Sequence, residues 1–175
     1  MEKSNHTKKL VIRNYESQDL ADCRQLWVEL TSWHRDIYDS PSIGGDNPGL
    51  LFDEHLNRVG PDNIWVAEVN GKVVGLTGLI FEDQEAELEP IIVFDEFRGL
   101  GIGRRLVETV IQHARDSGVR QLKVLPVGRN EQAIRFFHNL GFKVIGYIEL
   151  FQEFKPGEEQ IWFDREKLAG RDFKV

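Results

Sequence analysis

Closely spaced glycines flanked by arginines form the segment of this sequence with the clearest chemical potential. The segment 98–105 consists of Arg98, Gly99, Leu100, Gly101, Ile102, Gly103, Arg104 and Arg105. An apolar run precedes it and apolar residues at helical spacing follow it, so the glycines lie where a strand gives way to a helix. The first N–H groups of such a helix have no intrahelical partners, and glycines let an anion approach them closely. The segment therefore predicts a binding site for a phosphate-bearing ligand.

Arginines at both ends of this segment strengthen the prediction. Exposed cations at the N-terminus of a helix are unfavourable by about 0.3 to 1 kcal/mol each, and a bound polyanion reverses that sign. The alternative is a tight turn whose arginines are merely solvated. Two nucleotide-binding loops do not fit: the Walker loop needs a Gly-Lys-Ser/Thr ending, and the dinucleotide fingerprint needs an acidic residue about 20 positions later, where residues 121–125 contain none.

A second pattern lies downstream of the glycine segment. It consists of Asn130, Ala133, Phe136, Phe137, Leu140, Gly141 and Phe142. This spacing, together with the Arg-x-x-Gly-x-Gly of residues 98–103, resembles the two signatures of the GNAT family, the GCN5-related N-acetyltransferases. Phe137 departs from the family pattern, which usually has a tyrosine there. The resemblance is strong over residues 63–142 and weak before them, where such enzymes mostly select the acceptor.

The resemblance implies that acetyl-CoA is the co-substrate and that its pyrophosphate lies on the glycine segment. Backbone N–H groups near Ile92 and Val93 are then expected to hold the pantetheine and the thioester, where one strand splays from the next. Pro90 has no N–H and would mark this break. The residues implied in cofactor binding are Ile92, Val93, Arg98, Gly99, Leu100, Gly101, Ile102, Gly103, Arg104, Asn130, Ala133 and Phe137.

Two glutamates ahead of the glycine segment are candidates for the base that acetyl transfer needs. Glu87 and Glu89 share side-chain parity with Val93 on an extended strand. Glu87 is the first choice, because by the resemblance it occupies the position of the base in histone-type family members. The alternative is that both are ordinary exposed acids in an acid-rich stretch, and a relay through water also stays open.

No proton donor for the departing thiolate stands out. Phe137 cannot give a proton, which leaves His138, Tyr147, Tyr38 or solvent as alternatives, and a thiolate whose thiol pKa is near 8.5 can leave without a donor. Cys23 lies in an apolar helical stripe without a neighbouring base, so it is predicted to be a core residue and not an acyl-carrying nucleophile. The histidines show no metal-ligand spacing, and we expect no metal.

Apolar periodicity and capping residues predict about four helices. They run from Ser17 through Trp33, from Asn47-Pro48 to Val59, from Gly101 to Ser117-Gly118, and from Asn130 to Leu140. Residues 39–49 have the composition of a loop, which could gate an acceptor site.

Strands are predicted at residues 10–12, 64–69, 72–81, 91–94, 121–125, 142–151 and 160–163. Asn70-Gly71 is a strong hairpin signal, whereas the helix before residues 121–125 favours parallel pairing. The expected fold class is α/β (α+β): one GNAT-like domain over residues 1–175, with a mixed central sheet of six to seven strands, about four flanking helices and splayed parallel strands at the CoA site. Residues 1–9 are expected to be flexible, and residues 164–175 to be peripheral.

Bulk composition limits the classes of function. A chain of 175 residues with 41% hydrophobic content is long enough for one domain with a substantial core. The net charge of -7 argues against nucleic acid as the main partner and fits a cationic substrate better. The alternative is that the acidity serves solubility alone, as in many soluble proteins. A single cysteine allows no intrachain disulfide, and neither a signal peptide nor an apolar run of membrane-spanning length is visible, so we expect a cytoplasmic protein without a membrane partner.

The leading hypothesis is an acetyl-CoA-dependent N-acetyltransferase that acetylates a primary amine by direct attack in a ternary complex. A small molecule is the first choice of acceptor, and a protein N-terminus or lysine is the second. A non-catalytic acyl-CoA-binding regulatory domain is the alternative of another class, and a nucleotide-binding protein is disfavoured by the missing motif residues. A homodimer is left open.

Overall fold

The computed structural model describes residues 9–152, 154 and 164–174, with side chains described from 167 onward in the last range. The chain divides into two compact units. The first comprises residues 1–30 and 44–124, and the second comprises residues 31–43 and 125–175. A single functional domain over the whole chain therefore stays a prediction.

A five-stranded mixed sheet forms the centre of the first unit. Its strands, in chain order and in sheet order, are β1 (Leu10–Asn14), β2 (Ile64–Val69), β3 (Lys72–Glu82), β4 (Glu85–Val93) and β5 (Gln121–Lys123). The first four pair antiparallel, and β5 pairs parallel to β4. Asn70 and Gly71 join β2 to β3 with positive φ at both positions, as the hairpin signal predicts. The mixed α/β class is confirmed.

Helices cover both faces of this sheet. They are α1 (Leu20–Tyr38, of which residues 20–30 belong to this unit), α2 (Leu51–Val59) and α3 (Ile102–Asp116). Leu76 of β3 packs in a buried cluster with Phe52 of α2, whereas the neighbouring Gly75 faces Leu106 of α3. Because successive strand residues point to opposite faces, α2 and α3 lie on opposite sides. Cys23 is fully buried in the α2-side cluster, which confirms it as core.

Strand β4 is longer than the sequence predicts, because the acid-rich residues 85–89 belong to it. Cations on β5 and α2 lie against these acids and offset their mutual repulsion. Thr77 pairs with Ile91 while Leu79 pairs with Leu88, so Glu89 and Pro90 together oppose Gly78. This is a β-bulge, a place where proline is tolerated.

The second unit lacks one of its predicted strands within the described residues. Helix α4 (Glu131–Asn139) forms as expected, whereas residues 142–152 form no strand. A strand requires a hydrogen-bonded neighbour, and no neighbour pairs with this segment among the described residues. The predicted strand at 160–163 lies outside the described residues. The described residues accordingly place five strands in the sheet, whereas six to seven were predicted.

The C-terminal residues form an unpredicted hairpin. Strands β6 (Asp164–Leu168) and β7 (Arg171–Lys174) pair antiparallel around Ala169 and Gly170, which both have positive φ. A two-residue turn of this kind matches the twist of a hairpin, but Ala-Gly is a weaker sequence signal than Asn-Gly. The charged composition had indicated only a peripheral tail.

Candidate active site

The glycine segment joins β4 to α3, as predicted. Gly99 and Gly101 have φ of 74° and 80°, and Gly101 is the N-cap of α3 in a left-handed conformation. A Cβ at either position would meet nothing within 4 Å, so the backbone angle and not crowding requires glycine there. Among the described residues no side chain caps α3, and its first intrahelical bond is Arg105 N to Gly101 O. The first-turn N–H groups are therefore available for an anion.

The two arginines predicted to bind phosphate have different surroundings. Arg98 braces the loop: its Nε donates to Val93 O at 3.0 Å, and its guanidinium lies 3.5 Å from Glu29 and 3.3 Å from Asp95. Arg104 lies in the first turn of α3 with its side chain 53% exposed, 3.4 Å from Glu108. Arg104 is thus the more accessible cation beside the helix N-terminus.

Strands β4 and β5 stay paired over a short distance only. The last parallel pair is Glu87 with Lys123, where β5 ends. From Leu88 onward β4 pairs with β3, and this pairing continues to Val93, which lies opposite Gly75. Parallel pairing therefore ends after Glu87, ahead of the glycine segment, and the splaying of the two strands stays a prediction. Ile92, which was predicted to contact the thioester through its backbone, has its side chain buried in the core.

The two candidate bases lie on the same face of the sheet. Glu87 is opposite Ile80, whose side chain packs against the core on the α2 side, and Glu89 contacts Arg58 of α2. Their expected parity with Val93 is wrong, because the bulge at Glu89 and Pro90 adds a residue and turns Val93 toward α3.

Burial separates the two glutamates. The side chain of Glu87 is 11% exposed and its carboxylate lies 3.3 Å from Lys123 Nζ. Lys123 also donates to Glu82 at 2.6 Å, a bond that raises the pKa of the ammonium above its usual value. The side chain of Glu89 is 43% exposed, and its Oε1 accepts from Arg58 Nη2 at 3.0 Å.

Sequence reasoning missed His55, a histidine buried at 4% exposure on α2. The centroids of its ring and of the Trp27 ring are 4.9 Å apart, and its Nδ1 is 3.4 Å from Arg58 Nη2. The pKa of this imidazole is lowered to about 4, mainly by burial. The negative charge of Glu89 raises the pKa, and the positive charge of Arg58 lowers it further. The available signal was its position within the apolar stripe of α2 that includes Phe52 and Leu56.

Residues of the second signature stabilise α4 in the second unit. Asn130 Oδ1 accepts from Ala133 N at 2.9 Å and caps the helix, as predicted. The Phe137 ring is buried and packs edge-on against Phe136 and Phe142, with centroids 5.2 and 5.5 Å apart. Phe137 therefore supplies an apolar surface and no dissociable proton.

The alternative proton donors also lie in the second unit. Tyr38 is half-buried under the guanidinium of Arg129, 5.2 Å from its ring centroid, and burial raises the pKa of the phenol. Tyr147 and His138 are exposed. Within the described ranges no three His, Cys, Asp or Glu side chains are grouped to hold a metal ion. In the same part of the chain, no helix has the length and hydropathy needed to cross a membrane.

Comparison with protein families and sequences identifies relatives. A model described as the acetyltransferase (GNAT) family matches residues 24–142, beginning well before the region of strong motif resemblance. The chain is 30% identical over 150 residues to an uncharacterized N-acetyltransferase of Methanocaldococcus jannaschii. The aligned region covers 82% of this chain and 65% of the relative. It is 32% identical over 134 residues to one of Archaeoglobus fulgidus, covering 72% and 88%.

Coverage is smaller for other relatives. Human N-acetyltransferase 8B is 35% identical over 88 residues, which are 47% of this chain and 39% of that protein. The chain therefore spans less than two thirds of the human and Methanocaldococcus proteins.

Solved structures share the fold at low identity. A GNAT acetyltransferase from Staphylococcus aureus Mu50 superposes with a TM-score of 0.66 at 17% identity, covering 87% of this chain and 96% of the other. The aminoglycoside acetyltransferase AAC(6')-Iy, bound to a CoA bisubstrate analogue, gives 0.61 at 18%, covering 83% and 98%. The Escherichia coli ribosomal-protein-S18-alanine N-acetyltransferase gives 0.62 at 19%, covering 87% of each.

The fold, the uncapped helix that follows the glycine segment and the sequence relatives all indicate the same family. The family model covers more than half of the chain, and the Archaeoglobus relative is matched over most of its length. The chain belongs to the acetyltransferase (GNAT) family.

Proposed function

We propose that this chain transfers the acetyl group of acetyl-CoA to a primary amine carried by a small molecule. One observation carries the proposal: the N-terminus of α3 has no side-chain cap among the described residues and follows two glycines with positive φ. Such a helix end binds phosphate groups through its N–H donors and its dipole. We place the pantetheine arm along the part of β4 after Glu87, where its parallel pairing with β5 has ended.

In the proposed reaction the amine nitrogen attacks the thioester carbonyl, the C–S bond breaks, and CoA leaves as its thiolate. The attacking amine must lose a proton, which a nearby carboxylate accepts directly or through water. Backbone N–H groups near Ile92 and Val93 stabilise the carbonyl oxygen as negative charge develops on it. Cys23 carries no acyl group, because burial raises the pKa of its thiol far above the ordinary range.

Of the two candidate bases, we assign the role to Glu89. A base must reach the proton that it accepts, and the Glu89 side chain is 43% exposed whereas that of Glu87 is 11% exposed. Glu87 also shares Lys123 with Glu82, which favours a role in holding β5 against β4. Glu87 remains the second candidate.

The second signature enters the proposal through the family resemblance. We propose that Asn130, Ala133 and Phe137 contribute to CoA binding, with the Phe137 ring as an apolar surface. The thiolate leaves without a tyrosine at this position, since a thiol pKa near 8.5 makes it a tolerable leaving group. His138, Tyr147 and Tyr38 stay as alternative donors.

Charge supports a cationic amine as the acceptor. The chain carries a net charge of -7, and five acids lie between residues 82 and 89. AAC(6')-Iy, with its bound CoA–neamine analogue, exemplifies a small-molecule acceptor on this fold. A protein amine is the second candidate, because the ribosomal-protein-S18-alanine enzyme shares the fold equally well. The cytoplasmic location and a homodimer stay predictions from the sequence.

A non-catalytic acyl-CoA-binding domain is the alternative of another class, favoured by phenylalanine at position 137. Titration calorimetry with CoA and with ATP tests the proposed cofactor first. We expect saturable binding of CoA and much weaker binding of ATP, which lacks the pantetheine arm. Equal affinity for both would replace the acetyltransferase proposal with a nucleotide site.

A further inference from the structure

His55 occupies a fixed place between α2 and the sheet. Its ring contacts Trp27 of α1, with centroids 4.9 Å apart, and only 4% of the residue is exposed. Gly78 of β3 lies beneath the ring, where an added Cβ would come within 2.8 Å of His55 Nε2. Packing therefore allows the imidazole little freedom.

The buried imidazole contacts the ion pair that includes the assigned base. Arg58 Nη2 lies 3.4 Å from His55 Nδ1 and 3.0 Å from Glu89 Oε1. Guanidinium nitrogens only donate hydrogen bonds, so we assign Nδ1 as the unprotonated acceptor of this contact. The ring proton is then on Nε2, a buried atom that has no hydrogen-bond partner among the described residues. A pKa lowered to about 4 by burial keeps the ring neutral near pH 7, as this contact requires.

The ion pair alone does not fix the carboxylate. The Arg58 and Glu89 side chains are 55% and 43% exposed. Ordering two long exposed side chains costs entropy that largely offsets their attraction in water. A second acceptor on the same nitrogen, held rigidly by packing, removes much of the freedom of Arg58.

Resting on the proposed function, we propose that His55 is a positioning residue for acetyl transfer: its Nδ1 anchors Arg58, and the anchored Arg58 holds the Glu89 carboxylate where it accepts the proton of the attacking amine. The proton moves from the amine nitrogen to a Glu89 oxygen as the new C–N bond forms. His55 itself exchanges no proton. The same contact explains a buried histidine on an otherwise apolar helix face.

Steady-state kinetics of His55 variants test the proposal, with acetyl-CoA and the best acceptor from a panel of primary amines. His55→Phe keeps a ring against Trp27 and removes the acceptor, whereas His55→Asn can place its side-chain oxygen near the Nδ1 position. We expect His55→Phe to lower kcat by about 10-fold to 100-fold at an unchanged acetyl-CoA KM, since a misplacement of about 1 Å has effects of this size. His55→Asn should recover most of the loss.

A double variant separates positioning from general destabilisation. Arg58→Gln should lower kcat comparably, and His55→Phe should add little in that background, because both act through one contact. Arg120→Gln is the matched control. Arg120 pairs at 3.3 Å with Glu85, which lies on β4 like Glu89, and we expect the variant to leave kcat unchanged. If His55→Phe does not fold, the Asn and Arg58 variants decide the result.

Several results would overturn the inference. Additive losses in the double variant, or no rescue by asparagine, would leave His55 with a packing role. A ring proton on Nδ1, detected from the imidazole nitrogen shifts by NMR near pH 7, would remove the Arg58 contact without any activity assay. An active wild type with an unchanged His55→Phe kcat would overturn this inference alone, whereas a wild type that transfers no acetyl group would overturn the proposed function with it.

Discussion

Glu87 and Glu89 are two residues apart on β4, yet each faces a different cation. Lys123 of the neighbouring strand holds the buried Glu87, and Arg58 of α2 holds the more exposed Glu89. The acid-rich sequence indicated both residues but could not rank them. The ranking depends on burial and on partners that are distant in sequence: Arg58 lies 31 positions from Glu89, and Lys123 lies 36 positions from Glu87. The periodicity of a sequence does not show such contacts.

Replacing each glutamate by glutamine tests the assignment of the base. Glu89→Gln should lower kcat by about 10² to 10⁴ with little change in CoA binding, and Glu87→Gln should have the smaller effect. The lost rate should recover as the pH rises, because the amine then deprotonates without help. Stopped assays over a pH series measure this. Near-normal rates in both single variants and in the double variant would remove both glutamates from the mechanism.

His55 also makes stability depend on pH. Its pKa is about 4 in the folded protein and about 6.5 when unfolded, so the unfolded state binds more protons between these values. Stability is fully present above pH 6.5 and falls as the pH approaches 4. The loss between pH 7 and pH 5 from this residue should be about 2 kcal/mol.

Urea unfolding of His55→Asn at the two pH values isolates this contribution. The variant does not titrate at position 55, so its stability should fall by about 2 kcal/mol less than that of the wild type over the same interval. His138→Asn, which replaces an exposed histidine, is the control. An identical pH dependence in His55→Asn and wild type would mean that His55 is not buried as the neutral form.

At the scale of elements, local signals predicted the parts of the fold to which we assign cofactor binding. Glycines, apolar periodicity and the Asn130 cap located both ends of α3 and the start of α4 within a residue or two. Pro90 indicated a break between the parallel strands, whereas the bulge that it forms with Glu89 opposite β3, and the resulting change of face at Val93, depend on pairing that the sequence does not show. Residues 142–151 have the composition of a strand and form none, since a strand depends on a partner and no described residue pairs with them.

The N-terminus of α3 yields the sharpest element-level prediction. Gly101→Asp places a negative side chain beside the N–H groups that we assign to the pyrophosphate, so CoA affinity should fall by at least tenfold, a loss of about 1.4 kcal/mol. Calorimetric titration measures this.

A matched control lies at the other end of the same helix. Gly118→Asp introduces the same residue at φ of 76°, also with no neighbour within 4 Å of its Cβ, after the C-terminus of α3. Both variants should share the backbone strain, and only Gly101→Asp should lose CoA. Equal affinity in the two folded variants would show that the cofactor binds elsewhere.

For the whole molecule, sequence patterns predicted the fold class and the family better than the acceptor. The proposed cofactor site uses backbone groups at a helix end, which need glycines in a fixed spacing and therefore leave a motif. Acceptor binding uses side chains from loops and helices whose types follow the substrate. Residues 39–49, predicted to gate the acceptor, contain no such motif, so the amine must be found by experiment.

Thiol release from acetyl-CoA with a panel of amines tests the central claim most directly. The panel should contain a linear polyamine, an aminoglycoside, a lysine peptide and a peptide with a free N-terminal alanine. We predict sustained release over many turnovers with at least one small amine, and an equal quantity of its N-acetylated product by mass spectrometry. CoA binding without turnover for any amine would contradict the account and leave a non-catalytic acyl-CoA-binding domain.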